Sequence, residues 1–316
     1  MTAGKNFTRA PRLRSIFANS NIEVVIRVGP AGWSYKDWDG VVYPPKKPKD
    51  FHPLTYLAQY FDTIEINSSF YGAPRPSTAK AWSERVHANH RFRFTAKLYQ
   101  AFTHQRSATA QDEHDFKTGI APLMEAGRFG ALLLQFPWSF RFVPDNRRYL
   151  LDVQNRFQEY PLVLEVRHAS WAHPDVLDML AEFNIGLANI DQPLFHKSLK
   201  PGAEVTTPVA YIRLHGRNYK NWFSEKADVR ERYDYLYSFR ELEPWIDRIQ
   251  SVTWKSKDTF VVTNNHFEGK AVVNALEISA ILRGEPVSGP ASLTKRYPEL
   301  HEFTTVELPD QSQVAT

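Results

Sequence analysis

Short apolar, β-branched runs recur along the chain at 24–32 (VVIRVGPAG), 63–67 (TIEIN), 93–97 (RFTAK), 131–136 (ALLLQF), 162–167 (LVLEVR), 185–190 (IGLANI), 209–215 (VAYIRLH) and 259–265 (TFVVTNN). Their length and composition predict eight strands. Between most of them lie stretches of helical spacing, as at 54–61, 77–86, 174–183, 235–250 and 271–284. Strand alternating with helix predicts a parallel sheet with helical crossovers. Eight such units in roughly 260 residues fit an α/β fold made of a single (β/α)8 TIM-like barrel. An open doubly wound sheet is disfavoured, because GPAGWSY (29–35) lacks the glycine spacing of a dinucleotide loop. The expected organisation is a basic N-terminal tail over 1–22, the barrel over 23–308 and a C-terminal tail over 309–316.

The strand ends break the apolar pattern in a common way. Glu65-Ile66-Asn67, Glu165-Val166-Arg167, Asn189-Ile190-Asp191 and Arg213-Leu214-His215 each read polar, apolar, polar. Residues two apart on a strand share a face. The polar members are therefore expected to face the barrel lumen, and the apolar ones the helices. Asn264, Asn265 and His266 end the eighth run, and Lys97 and Gln135 end the third and fourth. Buried charge is costly unless paired. Its recurrence at one end of several strands points to the C-terminal mouth, where barrel enzymes keep their active sites. A structural ion-pair network that plugs the barrel is the competing reading.

Charge alters the picture only slightly. The net formal charge is +4, and residues 1–20 hold Lys5, Arg9, Arg12 and Arg14 with no acid, so the remainder is neutral. The pI near 9.0 is thus a property of the tail, not of a basic face on the folded body. No cysteine is present, which excludes disulfides, thiolate metal sites and a cysteine nucleophile. No apolar run is long enough to span a membrane, and the tail lacks the apolar region of a secretory signal. A cytoplasmic location is expected.

The strand-end set supplies Glu65, Glu165, His215 and His266 as candidate catalytic groups, with the histidines titrating closest to neutrality. Glu65, Glu165, Asp191, His215 and His266 could together hold a divalent metal through oxygen and nitrogen ligands. Lys97, Arg167 and Arg213 suit an anion such as phosphate. Asn67, Gln135, His168 and Asn264 add polar contacts, and Trp33, Trp171 and Trp222 could line the mouth. The expected function is a barrel enzyme acting on a small anionic, phosphate-bearing substrate, with hydrolysis the candidate reaction. Two other readings stay open. One is a nucleic-acid-binding, metal-dependent barrel of the endonuclease type, with rim aromatics stacking bases. The other is a non-catalytic ligand-binding barrel.

The ordered set GWSYKDW, FDTIEINSSFY (61–71), FRFTAK (92–97), LLLQFP (132–137), LEVRHASW (164–171), YIRLHGR (211–217) and NNHFEGKAVVNA (264–275) resembles the YecE-like family, domain of unknown function seventy-two. The resemblance runs from about residue 24 to 283. It implies a TIM-like barrel and no particular reaction. Gly32, Trp33, Glu65, Asn67, Lys97, Gln135, Glu165, Arg167, His168, Asp191, Arg213, His215, Asn264 and His266 stand at positions matching its motifs. Where the family often has threonine and serine before GWSY, this chain has Pro30 and Ala31.

Overall fold

Each of the eight apolar runs forms a strand of one parallel sheet in the computed structural model, which describes residues 25–222 and 229–305. The expected tails at 1–22 and 309–316 lie outside the described residues. The strands are β1 (Val25–Pro30), β2 (Thr63–Ile66), β3 (Arg93–Lys97), β4 (Phe129–Gln135), β5 (Leu162–Glu165), β6 (Ile185–Asp191), β7 (Val209–Leu214) and β8 (Asp258–Thr263). Their order is β1-β8-β7-β6-β5-β4-β3-β2. The ring is completed between β1 and β2 by a single parallel bridge, Ala31 to Glu65, in which the Gly32 N–H donates to the Glu65 carbonyl at 2.8 Å. This is a (β/α)8 TIM-like barrel.

Period two separates the strand residues into two cores. Ala31, Ala131, Leu133, Val163, Ala188, Ile190, Tyr211, Phe260 and Val262 fill the lumen. Their neighbours, such as Ile64, Leu132, Leu164, Leu187, Ile212 and Val261, meet the helices. At the lumen's N-terminal end Arg27 pairs with Asp258 and donates through Nε to the Arg91 carbonyl at 2.9 Å. The helices 76–85 and 144–157 begin with proline at the first turn, and 110–125 and 239–253 begin with capping boxes, Thr109 with Asp112 and Ser238 with Glu241.

One crossover departs from the pattern. Residues 192–208, between β6 and β7, contain no helix. Loop backbone therefore covers the outer face of β6, and its polar groups need partners. Asn189 supplies them, donating through Nδ2 to the Glu204 carbonyl and accepting from the Glu204 N–H, both at 2.8 Å. This corrects the expectation for β6. Ala188 and Ile190 take the lumen, and Asn189 and Asp191 share the outer face with Leu187. Asn189→Ala leaves both Glu204 groups unpaired, and a loss of about 2–3 kcal/mol in urea denaturation is expected.

Candidate functional site

The polar ends of β2, β5 and β7 meet around one guanidinium. Arg213, 1% exposed, donates through Nη2 to Glu65 Oε1 at 2.6 Å and through Nη1 to Glu165 Oε2 at 2.5 Å. Both carboxylates are fully buried. Glu65 also accepts from the Tyr211 hydroxyl at 2.9 Å, and that hydroxyl meets Thr95 Oγ1 at 2.7 Å. Burial and the neighbouring Glu65 push the Tyr211 phenol well above its ordinary range, so it remains a donor. Glu165 accepts from Arg167 Nη2 at 3.0 Å and lies 3.2 Å from His215 Nε2. Burial alone would raise the Glu165 carboxyl. Arg213, then His215 and Arg167, hold it well below the usual carboxylate range.

His215 is fully buried, and that burial pushes its imidazole down to about 3. Asn264 Nδ2 lies 3.0 Å from Nδ1. The consistent assignment has Asn264 donating to Nδ1 while Nε2–H donates to Glu165. His215 is thus a neutral, doubly engaged part of the network.

Lys97, at the end of β3, stands apart from this pairing. Its ammonium lies 4.1 Å from the Phe70 ring centroid and makes no hydrogen bond or ion pair among the described residues. Burial and the nearby Arg213 and Arg167, partly offset by Glu65 and Glu165, bring its pKa down to about 8. Arg167 lies over the Trp222 ring at 5.3 Å, and its buried Nε has no partner. Trp222 stands edge-on to His215 at 6.1 Å and is 6% exposed, so it forms a wall rather than an open stacking platform. Gln135 lies level with Glu165 in the sheet register, and its amide has no partner among the described residues.

Tyr35 links two further candidates to the seam. Its hydroxyl donates to the Ala31 carbonyl at 2.8 Å and lies 3.3 Å from Asn67 Nδ2. Its ring stacks on His266 at 4.4 Å, and the Tyr233 ring lies 5.0 Å from the same histidine. His266 is therefore part of an aromatic stack at the mouth.

Four candidates are not brought to the cluster. Asp191 accepts from Arg217 Nε and Nη2 at 2.9 and 3.0 Å and from the Tyr237 hydroxyl at 2.5 Å, on the outer side of β6. Trp33 packs against Trp82 and Phe94 at 5.4 and 6.4 Å, because the chain turns away from β1 at Gly32, where φ is +76°. Trp171 is 2% exposed and donates to the Phe140 carbonyl at 2.7 Å, in the helical layer. His168 follows Arg167 on the strand's other face and caps the turn 169–172, its Nδ1 accepting from the Ser170 N–H at 3.1 Å. The five expected metal ligands also do not converge. Asp191 is elsewhere, Arg213 occupies both glutamates, and among the described residues no three His, Asp or Glu side chains are placed to share an ion.

The structure adds groups that the strand-end pattern did not single out. Tyr211 and Thr95 are lumen residues two positions before Arg213 and Lys97, so the same period would have found them. His104 reaches the Phe70 ring edge-on at 5.0 Å from a π-helical turn over Ala101–Gln105, which has no local sequence signal.

The family model described as "Protein of unknown function DUF72" matches residues 27–296. The UPF0759 protein YunF of Bacillus subtilis (strain 168) is 28% identical over 273 residues, which are 82% of this chain and 95% of YunF. A crystal structure of a DUF72 family protein from Thermotoga maritima MSB8 is similar at 32% identity and TM-score 0.70, covering 82% of this chain and 99% of that one. A DUF72 family protein from Enterococcus faecalis V583 is similar at 26% identity and TM-score 0.72, covering 82% of this chain and 95% of that one. With the match spanning β1 to the segment after the last barrel helix, the chain belongs to the DUF72 family.

Proposed function

We propose that the barrel mouth is an enzyme site for a small anionic substrate bearing phosphate or carboxylate. One observation supports this above the others. The carboxylates are already satisfied by Arg213, Tyr211 and His215, while Lys97 and Arg167 hold N–H donors that no described residue takes. Two carboxylates against Arg213, Arg167 and Lys97 leave a formal charge of +1 inside the mouth. An excess positive charge with spare donors and an apolar wall favours an anion. Arg167 is the permanent grip, and Lys97 the titratable one.

The proton-carrier role expected of His215 passes to Lys97 in this reading, because His215 stays neutral with both nitrogens engaged. Hydrolysis is the less favoured reaction, since neither glutamate is left free to take a proton from water. Among the described residues no helix is long and apolar enough to cross a membrane, which agrees with a substrate taken from water.

Calorimetric titration with inorganic phosphate at pH 7 tests the proposal. Saturable binding is expected in the wild type. Arg167→Met is expected to weaken it at least about tenfold while the protein stays folded, because Glu165 keeps Arg213 and His215. Affinity is expected to fall as pH rises through about 8, where Lys97 loses its charge. A wild type that takes up no phosphate, or an Arg167→Met variant that binds it as well, rules the anion site out.

A further inference from the structure

We propose that Lys97 is an imine-forming lysine, and that the substrate is an anionic aldehyde or ketone whose carbonyl carbon is attacked by Nζ. This deepens the anion-site reading and rests on it. The geometry behind it is the way charges are divided in the mouth. A lysine buried among carboxylates ordinarily pairs with one and is held as ammonium. Here Arg213 bridges Glu65 and Glu165, Arg167 takes a third carboxylate oxygen contact, and among the described residues Lys97 makes no ion pair. The Phe70 ring lies against the amine, its centroid 4.1 Å from Nζ. Nζ extends from the C-terminal end of β3, where barrel chemistry is placed, within the field of Arg213 and Arg167 as well as of Glu65 and Glu165.

These surroundings make the neutral amine accessible. At a pKa of about 8, roughly a tenth of Lys97 is unprotonated at pH 7, against under about a thousandth of an ordinary lysine. Desolvation beside other cations is the established physical route to a nucleophilic lysine. Lys117 provides the contrast within the same chain. It pairs with Glu113 at 2.9 Å and Glu159 at 2.8 Å, and despite some burial these partners raise its pKa.

The step balances without an oxidant or reductant. The Nζ lone pair forms a C–N bond to the carbonyl carbon, and the carbonyl π pair moves to oxygen, which takes a proton. One Nζ proton is lost as the carbinolamine forms. The carbinolamine then loses that oxygen as water as it takes a second proton, leaving a protonated iminium that gives the neutral imine when the second Nζ proton passes to solvent. A C=N bond remains. Arg167, fixed beside Glu165, is placed to hold the substrate's anionic group while Lys97 reacts.

Reductive trapping tests this on the wild-type protein. Pyruvate and dihydroxyacetone phosphate are the two probes, representing a carboxylate-bearing and a phosphate-bearing ketone. Each is incubated with cyanoborohydride, and the modified lysines are mapped by peptide mass. The expected product is a secondary amine at Lys97, heavier by the probe less one oxygen. At pH 7 it should form at least about tenfold faster than any adduct at Lys117, with a rate that rises through pH 8 and inorganic phosphate as a competitor. Lys97→Arg, which keeps the charge, should bind phosphate and lose the fast-forming adduct, leaving only the slow background at other lysines. The preferred probe identifies which anionic group the site takes. Unmodified Lys97 in a protein that does bind phosphate overturns the imine and leaves the anion site standing. A protein that neither binds phosphate nor traps a probe overturns both. Trapping at Lys97 that phosphate does not slow, in a protein that binds none, keeps the imine and discards the anion site.

Discussion

Arg213→Met is expected to destabilise the protein by about 3–5 kcal/mol at pH 7, because it strands buried carboxylates without their main counter-charge. In the wild type the guanidinium bridges Glu65 and Glu165, and burial of all three is complete or nearly so. Arg213 itself is held more firmly protonated than a free arginine by Glu165 and Glu65, despite its burial. With methionine in its place, Glu165 keeps Arg167 and His215, whereas Glu65 keeps, among the described residues, the Tyr211 hydroxyl alone. The pH dependence has a definite sign. Glu165 is depressed in the folded wild type, so its contribution is present above the unfolded carboxyl pKa and is lost as pH falls through the folded one. In the variant, burial acts on Glu165 with its strongest opposing charge removed. The difference between variant and wild type should therefore narrow as pH falls from 7 towards 4. Urea denaturation at several pH values measures this, and adding Glu65→Gln should recover part of the loss. A gain in stability for Arg213→Met at pH 7 would falsify the claim that the cluster's cost lies in breaking it.

The eight strands were legible because their runs are short, β-branched and separated by helical spacing, which is local information. The ring at the mouth was legible for the same reason, since Glu165 with Arg167 and Arg213 with His215 obey period two on strands whose faces were correctly assigned. Asn189 and Asp191 obey it equally well and point the other way. Polarity shows which residues share a face but not which face is inside. On β6 that choice follows from the helix-free crossover at 192–208, whose backbone Asn189 satisfies. His168 and Trp171 carried the right residue types for a site, but His168 is consumed by capping the turn 169–172 and Trp171 by the Phe140 carbonyl. Lys97 was legible as a lumen cation. Its lack of a partner was not, because that depends on Arg213, more than a hundred positions later, occupying both glutamates.

Gly29→Ala is expected to cost about 2–4 kcal/mol and to weaken phosphate binding, although it adds one methyl group far from any charge. A Cβ at Gly29 would lie 1.9 Å from the Thr63 carbonyl oxygen and 2.9 Å from its carbon. Both are backbone atoms, so no side chain can rotate aside. One strand must move, and the sheet determines which. β1 is in register with β8 over six residue pairs, from Val25 with Asp258 to Pro30 with Thr263. Its hold on β2 is the bridge from Ala31 to Glu65 and the Gly32 N–H to Glu65 carbonyl bond. β2 therefore gives way, and Glu65 moves with it. That displacement stretches the 2.6 Å contact to Arg213 and the 2.9 Å contact to Tyr211, so closure of the barrel and assembly of the site share one residue. Gly72→Ala is the matched control, because a Cβ there meets nothing within 4 Å, and a change within about 0.5 kcal/mol is expected. The two variants are compared by urea denaturation and by phosphate titration. If Gly29→Ala unfolds at the wild-type midpoint, the β1–β2 seam is slack and the site does not depend on it. If it is destabilised and its residual folded form binds phosphate normally, the seam closes the barrel without positioning Glu65.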